Sequence, residues 1–247
     1  MTATLELTRT EARLFARDPV ALLFGLLLPA ALLVGLGAFF PGFDEPASEL
    51  DGDRYIDVYA PVGLALGVAT LGLVTLPPIL GGYRQLGILR RLRTTPVHPA
   101  RLLAAELVVH GIAAAVAALV AVVAVVAAFD VAWPAAPGWF AISFVATICS
   151  AFAIGLLIGA IVRTQAAGQA IGMAVYFPML FLAGVWVPRH TMSDGLRDLS
   201  DRSPSGAAVQ AMADAWDGST PDATHLVTMA AYALVASLLA VRVFRWE

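Results

Sequence analysis

Six long stretches of the chain carry no formal charge, at residues 20–40, 58–80, 107–129, 139–162, 166–188 and 226–241, with polar or charged segments between them. The first five are of the length that crosses a bilayer as an α-helix, roughly 20 apolar residues. The sixth reaches it only with Thr224 and His225 before it, or Phe244 and Trp246 after it, as interfacial anchors. The pattern predicts an all-α membrane protein in which residues 1–247 form one transmembrane domain with six transmembrane helices.

The polar stretches carry patterns of their own. Arg9, Arg13 and Arg17 recur every four residues, with Leu7, Leu14 and Phe15 toward the other side, which predicts an amphipathic interfacial helix over 1–19. Its basic stripe suits either anionic headgroups or a docked partner. Asp18-Pro19 is a good start for the first span, an acceptor at the N-cap followed by proline at the first helical position. That span is long enough to be a retained helix and not a cleaved signal peptide. Pro77-Pro78 is expected to end or kink the second span. Pro29 and Pro178 fall inside the first and fifth, where neighbouring helices can satisfy the backbone groups they free. Gly63/Gly67, Gly155/Gly159 and Gly168/Gly172 are small pairs one turn apart, suited to close helix packing inside the bundle or between subunits. Between the last two spans, over 189–224, Val209, Met212, Ala213 and Trp216 recur at helical spacing behind Pro204-Ser205-Gly206, so this outer segment is expected to form short ordered helices.

Composition agrees: 60% of residues are hydrophobic, 13% are charged and mean hydropathy is +0.82, more apolar surface than a soluble domain of this size buries. All 15 basic residues are arginine. A phosphate-binding loop of the G-x-x-x-x-G-K-[ST] type needs a lysine, so the chain is not itself an ATPase of that kind. Cys149 is the one cysteine, which leaves no disulfide and no thiol metal site within the chain. With the N-terminus in the cytoplasm, Arg9, Arg13, Arg17, the arginines of 84–101, Arg163, Arg242 and Arg245 share one side, and the opposite segments are rich in Asp. The arginine bias therefore predicts that both termini are cytoplasmic.

The longest cytoplasmic loop follows the second span. Within "GYRQLGILRRLRTTP", Leu86, Leu89 and Leu92 share a helical face, Arg84, Arg90, Arg91 and Arg93 surround it, and Pro96 blocks continuation after Thr95. A short basic amphipathic helix under the membrane is one reading; an arginine-rich topological loop is the other.

"YRQLGILRRLRTTPVHPARLLAAEL" resembles the cytoplasmic loop of ABC type-2 exporter permeases, particularly the actinobacterial daunorubicin-resistance-like branch. "RDPVALLFGLLLP", "YIDVYAPVGLALG", "FPMLFLAGVWVP" and "SPSGAAVQAM" resemble further pieces of that family in the same order, so the likeness covers essentially the whole chain. Two departures are Gly81-Gly82, where many relatives carry acidic residues, and Pro61-Val62-Gly63 at the second span. The resemblance implies a bacterial plasma-membrane subunit paired with a second permease copy or a homologous permease. It implies two copies of a separate cytoplasmic ABC ATPase that bind ATP and Mg²⁺, no nucleic acid, and an amphiphilic cargo such as a drug or lipid. Residues 82–95 would be the coupling helix, with Leu89 and Leu92 entering a groove of the ATPase, Arg84, Arg90, Arg91 and Arg93 on its acidic groups, and the N-terminal helix beside it.

Glu106 and His110, four residues apart near the start of the third span, suit an ion pair, a metal pair or a proton-handling site. Two ligands without a third make a poor metal site, and structural pairing is the expectation. No substrate-binding or catalytic set emerges from the sequence. A standalone carrier or membrane enzyme is the alternative, but a proton-coupled carrier would place charges at mid-membrane depth, and these spans have none there.

Overall fold

The computed structural model describes residues 2–19, 21–50, 52–92 and 100–244, and among these all regular structure is helical. Helix α1 (Thr2–Phe15) leads into a π-helical segment, Ala21–Leu27, which continues as α2 (Leu28–Phe39). The second span joins α3 (Tyr55–Ala69), a π-helical segment Thr70–Thr75, and α4 (Leu76–Gln85); the short α5 (Ile88–Leu92) follows. The third to fifth spans are α6 (Ala100–Phe129), α7 (Pro137–Ile161) and α8 (Gln165–Leu182). The short helices α9 (Asp194–Asp201) and α10 (Pro204–Trp216) precede the sixth span, α11 (Ala223–Val243). Six helices are thus long and apolar enough to cross a membrane.

Side-chain caps set several of the starts. Asp18 Oδ1 accepts from the Ala21 N–H at 3.1 Å, Thr164 Oγ1 from Ala167 at 3.1 Å, Ser203 Oγ from Gly206 at 3.0 Å and Asp222 Oδ1 from Thr224 at 2.7 Å. Three boundaries differ from the sequence pattern. Pro77 and Pro78 do not end the second span, because they fall at the start of α4, where the wider π turn before them leaves no need for their missing N–H groups. The third helix begins at Ala100, which carries Glu106 and His110 inside the bundle. The fifth helix stops at Leu182: Gly184 takes a φ of +87°, its N–H reaches Phe181 O, and the Val185 N–H reaches Leu180 O. That is a Schellman termination, so "GVWVP" leaves the helix.

The second span is the hub. Of its most apolar stretch 83% is buried, against 17% for the sixth, which leaves α11 largely open to lipid or a partner. Close approach explains the burial. A Cβ on Gly155 of α7 would collide with the carbonyl of Gly72, and one on Gly172 of α8 with that of Leu73. Gly63 and Gly67 likewise seat Leu33 and Pro29 of the first span. The glycine pairs therefore serve packing within this chain. At the end of the bundle away from α4 and α5, α10 buries Val209, Met212 and Trp216; the indole N–H donates to Ala132 O at 2.9 Å and the ring meets Phe140 edge-on at 5.5 Å.

Gly155→Val should lower stability by about 1–3 kcal/mol through overpacking. Gly111→Ala, where an added Cβ meets nothing within 4 Å, should leave stability level or improve it. Thermal unfolding of the two full-length variants in lipid-supplemented detergent distinguishes them; equal midpoints would remove close packing as the basis of the hub.

Candidate coupling site at the arginine-rich end

Helix α4 ends under the bundle in a tight turn. Gly87 adopts a φ of +68°, a conformation costly for any side chain, and its carbonyl accepts from the Arg91 N–H, so the helix breaks after α4 and restarts as α5. On this hook Leu86 is 68% exposed and Arg90 and Arg91 face outward, whereas Leu89 is 1% exposed and packs within the chain. The leucine face expected to enter a partner is therefore divided: Leu86 is presented and Leu89 anchors the hook. Arg93, Thr95, Pro96 and the Leu92 side chain lie outside the described residues, as does His98.

Arg84 also turns inward. Its Nη1 donates to Gly159 O at 2.6 Å and to Val162 O, and its guanidinium lies 4.9 Å over the Phe244 ring. These carbonyls belong to the last turn of α7, whose C-terminal groups have no partners along the helix, and a cation there meets the negative end of the helix dipole. Arg84 thus fastens the hook to α7 and does not face outward with Arg90 and Arg91. Gln85 adds a second tie, its Oε1 accepting from the Gln165 N–H at 3.2 Å.

Beside the hook, α1 lies against α6. Arg9, Arg13 and Arg17 are exposed, while Phe15 turns inward and meets the His110 ring edge-on at 5.4 Å. Glu106 and His110 do pair, Nδ1 to Oε2 at 3.2 Å, and both are buried. They are half of a larger cluster. Tyr83 of α4 lies 2.8 Å from Glu11 Oε2 and 2.6 Å from Glu106 Oε1, so α1, α4 and α6 meet on one phenol. Glu11 and Tyr83 escaped the sequence reading. One signal was present: Leu7, Glu11 and Phe15 form the stripe opposite the arginines, which places an acid on the face that must be buried.

The opposite end of the bundle holds a cavity of about 930 Å³, lined among others by Asp57, Tyr59, Asp130, Trp133, Arg197 and Trp216. Arg54 closes one edge: it pairs with Asp57 at 2.7 and 2.9 Å and donates to Phe129 O at 2.8 Å. The hydrogen bond to Asp57 raises its pKa above the ordinary arginine value. Arg189 pairs with Asp201 at 2.8 Å, tying the 189–191 turn to α9. Partial desolvation beside the cavity, followed by the nearby charges of Asp53, Asp214 and Asp57, holds the Asp217 carboxyl above the usual carboxylate range.

A family model described as ABC-2 type transporter matches residues 2–215, from α1 into α10. The chain belongs to the ABC-2 type transporter family. It is accordingly a multi-pass membrane permease of an ABC exporter, a transport subunit that is not itself catalytic; such permeases work with a cytoplasmic ATPase. No curated protein matches the chain. In this ABC-2 permease the hook at 86–92 is hung from the most buried span, whose last helix, α4, is tied to α7 by Arg84 and to α1 and α6 by Tyr83.

Arg84→Gln should detach the hook from α7. Loss of the charged hydrogen bonds should cost about 1.5–3 kcal/mol, read as a lower unfolding midpoint. Arg90→Gln, on the exposed side, should leave the midpoint unchanged; a drop as large as that of Arg84→Gln would refute the division between them.

Proposed function

We propose that this permease works as one half of an ATP-driven exporter. Two copies, or one copy and a homologous permease, stand over two cytoplasmic ABC ATPase subunits, which bind ATP and Mg²⁺. It sits in a bacterial plasma membrane with both termini in the cytoplasm, and the arginine bias of the loops supports that orientation. The observation that carries the reading is the hook: an exposed leucine in the turn after α4 and two exposed arginines on the short helix that follows, next to the point where Arg84 ties α4 to α7. Leu86 supplies an apolar anchor, Arg90 and Arg91 engage acidic groups on the ATPase, and closure of the ATPases moves α4 as a lever. Arg93, Thr95 and Pro96 continue the same segment.

The cargo is an amphiphile of the drug or lipid class, in keeping with the daunorubicin-resistance-like resemblance. The outer cavity supports this, since aromatic walls beside carboxylates and guanidinium groups suit a molecule with an apolar body and a charged end.

Leu86→Glu should insert normally and lose the motor, because an unpaired carboxylate would be desolvated in the contact. Arg90→Gln with Arg91→Gln should weaken it more gently and in a salt-dependent way. The readouts are ATP hydrolysis co-eluting with the tagged permease from its own cells, and cellular export of a fluorescent amphiphile. Normal hydrolysis and export by Leu86→Glu would sink the coupling role of the hook.

A further inference from the structure

Three helices converge on one hydrogen. Glu11 of α1 is buried, and the titratable groups facing it are Tyr83 from α4 and Glu106 and His110 from α6. The Tyr83 oxygen lies 2.8 Å from Glu11 Oε2 and 2.6 Å from Glu106 Oε1. A phenol has one hydrogen to donate, and an ionised carboxylate has none. With both carboxylates ionised, one of these contacts would press two bare oxygens together in a buried site.

The missing hydrogen does not come from the imidazole. His110 Nδ1 lies 2.9 Å from Glu106 O and 3.2 Å from Glu106 Oε2, while Nε2 is buried without a hydrogen-bond partner among the described residues. An N–H at Nε2 would be an unsatisfied donor, so the ring fits with its hydrogen on Nδ1, directed at Glu106. Glu106 then accepts from both Tyr83 and His110 and is the ionised member. Glu11 keeps the proton and donates it to Tyr83. Burial, followed by the charge of Glu106, pushes the Glu11 carboxyl up to about 7.

We propose that Glu11 and Glu106 share one proton across Tyr83, and that this proton latches α1 to the second and third spans beside the coupling hook. Release of the proton places two carboxylates against one phenol, and the part free to move away is α1, which carries Glu11. The latch itself stands on this chain's own side chains; its effect on coupling rests on the exporter reading.

The sign follows from linkage. Glu11 released into water returns to the ordinary glutamate range, while the docked residue holds its proton up to about 7. Docking is tightest in acid, weakens by about tenfold per pH unit between about pH 4.5 and 7, and is level above that window.

The test uses the full chain in lipid nanodiscs, with no ATPase present, so its outcome is independent of the exporter reading. Amide hydrogen exchange in α1, corrected for intrinsic rate, should rise about tenfold per pH unit from about pH 5 to 7 and then level off. Glu11→Gln, whose amide can donate to Tyr83 at any pH, should abolish that dependence and keep α1 protected. Infrared spectra should show a protonated-carboxyl band that titrates in the same window in the native chain and is lost in Glu11→Gln. A native chain whose α1 exchange and carboxyl band are both flat across the window overturns the latch, with no variant required. A band that persists unchanged in Glu11→Gln overturns the assignment of the proton to Glu11.

Discussion

Hydrocarbon offers a helix bundle neither hydrogen-bond partners nor a hydrophobic drive between helices, so the bundle holds together by how closely its backbones approach. In this permease the approach is concentrated on the second span. Gly155 and Gly172 let α7 and α8 lie against the carbonyls of Gly72 and Leu73, and Gly63 and Gly67 accept the first span on the other side. Around that packing the lipid-facing helices need little burial of their own, which is why α11 can be apolar on nearly all sides and still belong to the fold.

The polar ties lie at the two ends of this hub. At the arginine-rich end, Arg84 ends α7 and Tyr83 joins α1 to α6. At the other end, Arg54 bridges Asp57 and the last carbonyl of α6, and the Trp216 indole fixes α10. The bundle centre is uncharged, and the ionised groups sit where a small displacement of a helix end changes which of them can meet. A lever through an apolar core needs that arrangement: stiff packing in the middle and specific contacts at its ends.

Much of this was legible along the chain. Uncharged runs gave the six spans, Asp18-Pro19 marked a helix start that carries the expected cap, and Pro204-Ser205-Gly206 marked the start of α10. What stayed hidden depended on which helix faces which. Leu86 and Leu89 look alike in a periodic pattern, but the left-handed turn at Gly87 presents one and buries the other. Arg84 reads as one more loop cation until the end of α7 arrives beside it. Glu106 and His110 announced themselves by spacing; Glu11 and Tyr83 are distant in the chain, and no local pattern joins them to that pair.

The π-helical segment at Thr70–Thr75 has its freed carbonyls partly taken up by hydroxyls: Thr70 Oγ1 reaches Leu66 O and Tyr176 Oη, each at 2.8 Å, and Thr75 Oγ1 reaches Leu71 O at 2.5 Å. Such a segment amounts to one residue more than a straight α-helix would hold. Each residue turns a helix by about 100°, so that surplus residue sets the azimuth of everything below it. Were one residue lost between 70 and 75 and the helix restored to α geometry, Tyr83 and Arg84 would swing away from Glu106 and from the end of α7, while the outer half stayed in place. The length of the second span is therefore a rotational setting, and in this protein an evolutionary insertion or deletion there acts on the angle at which the hook is presented.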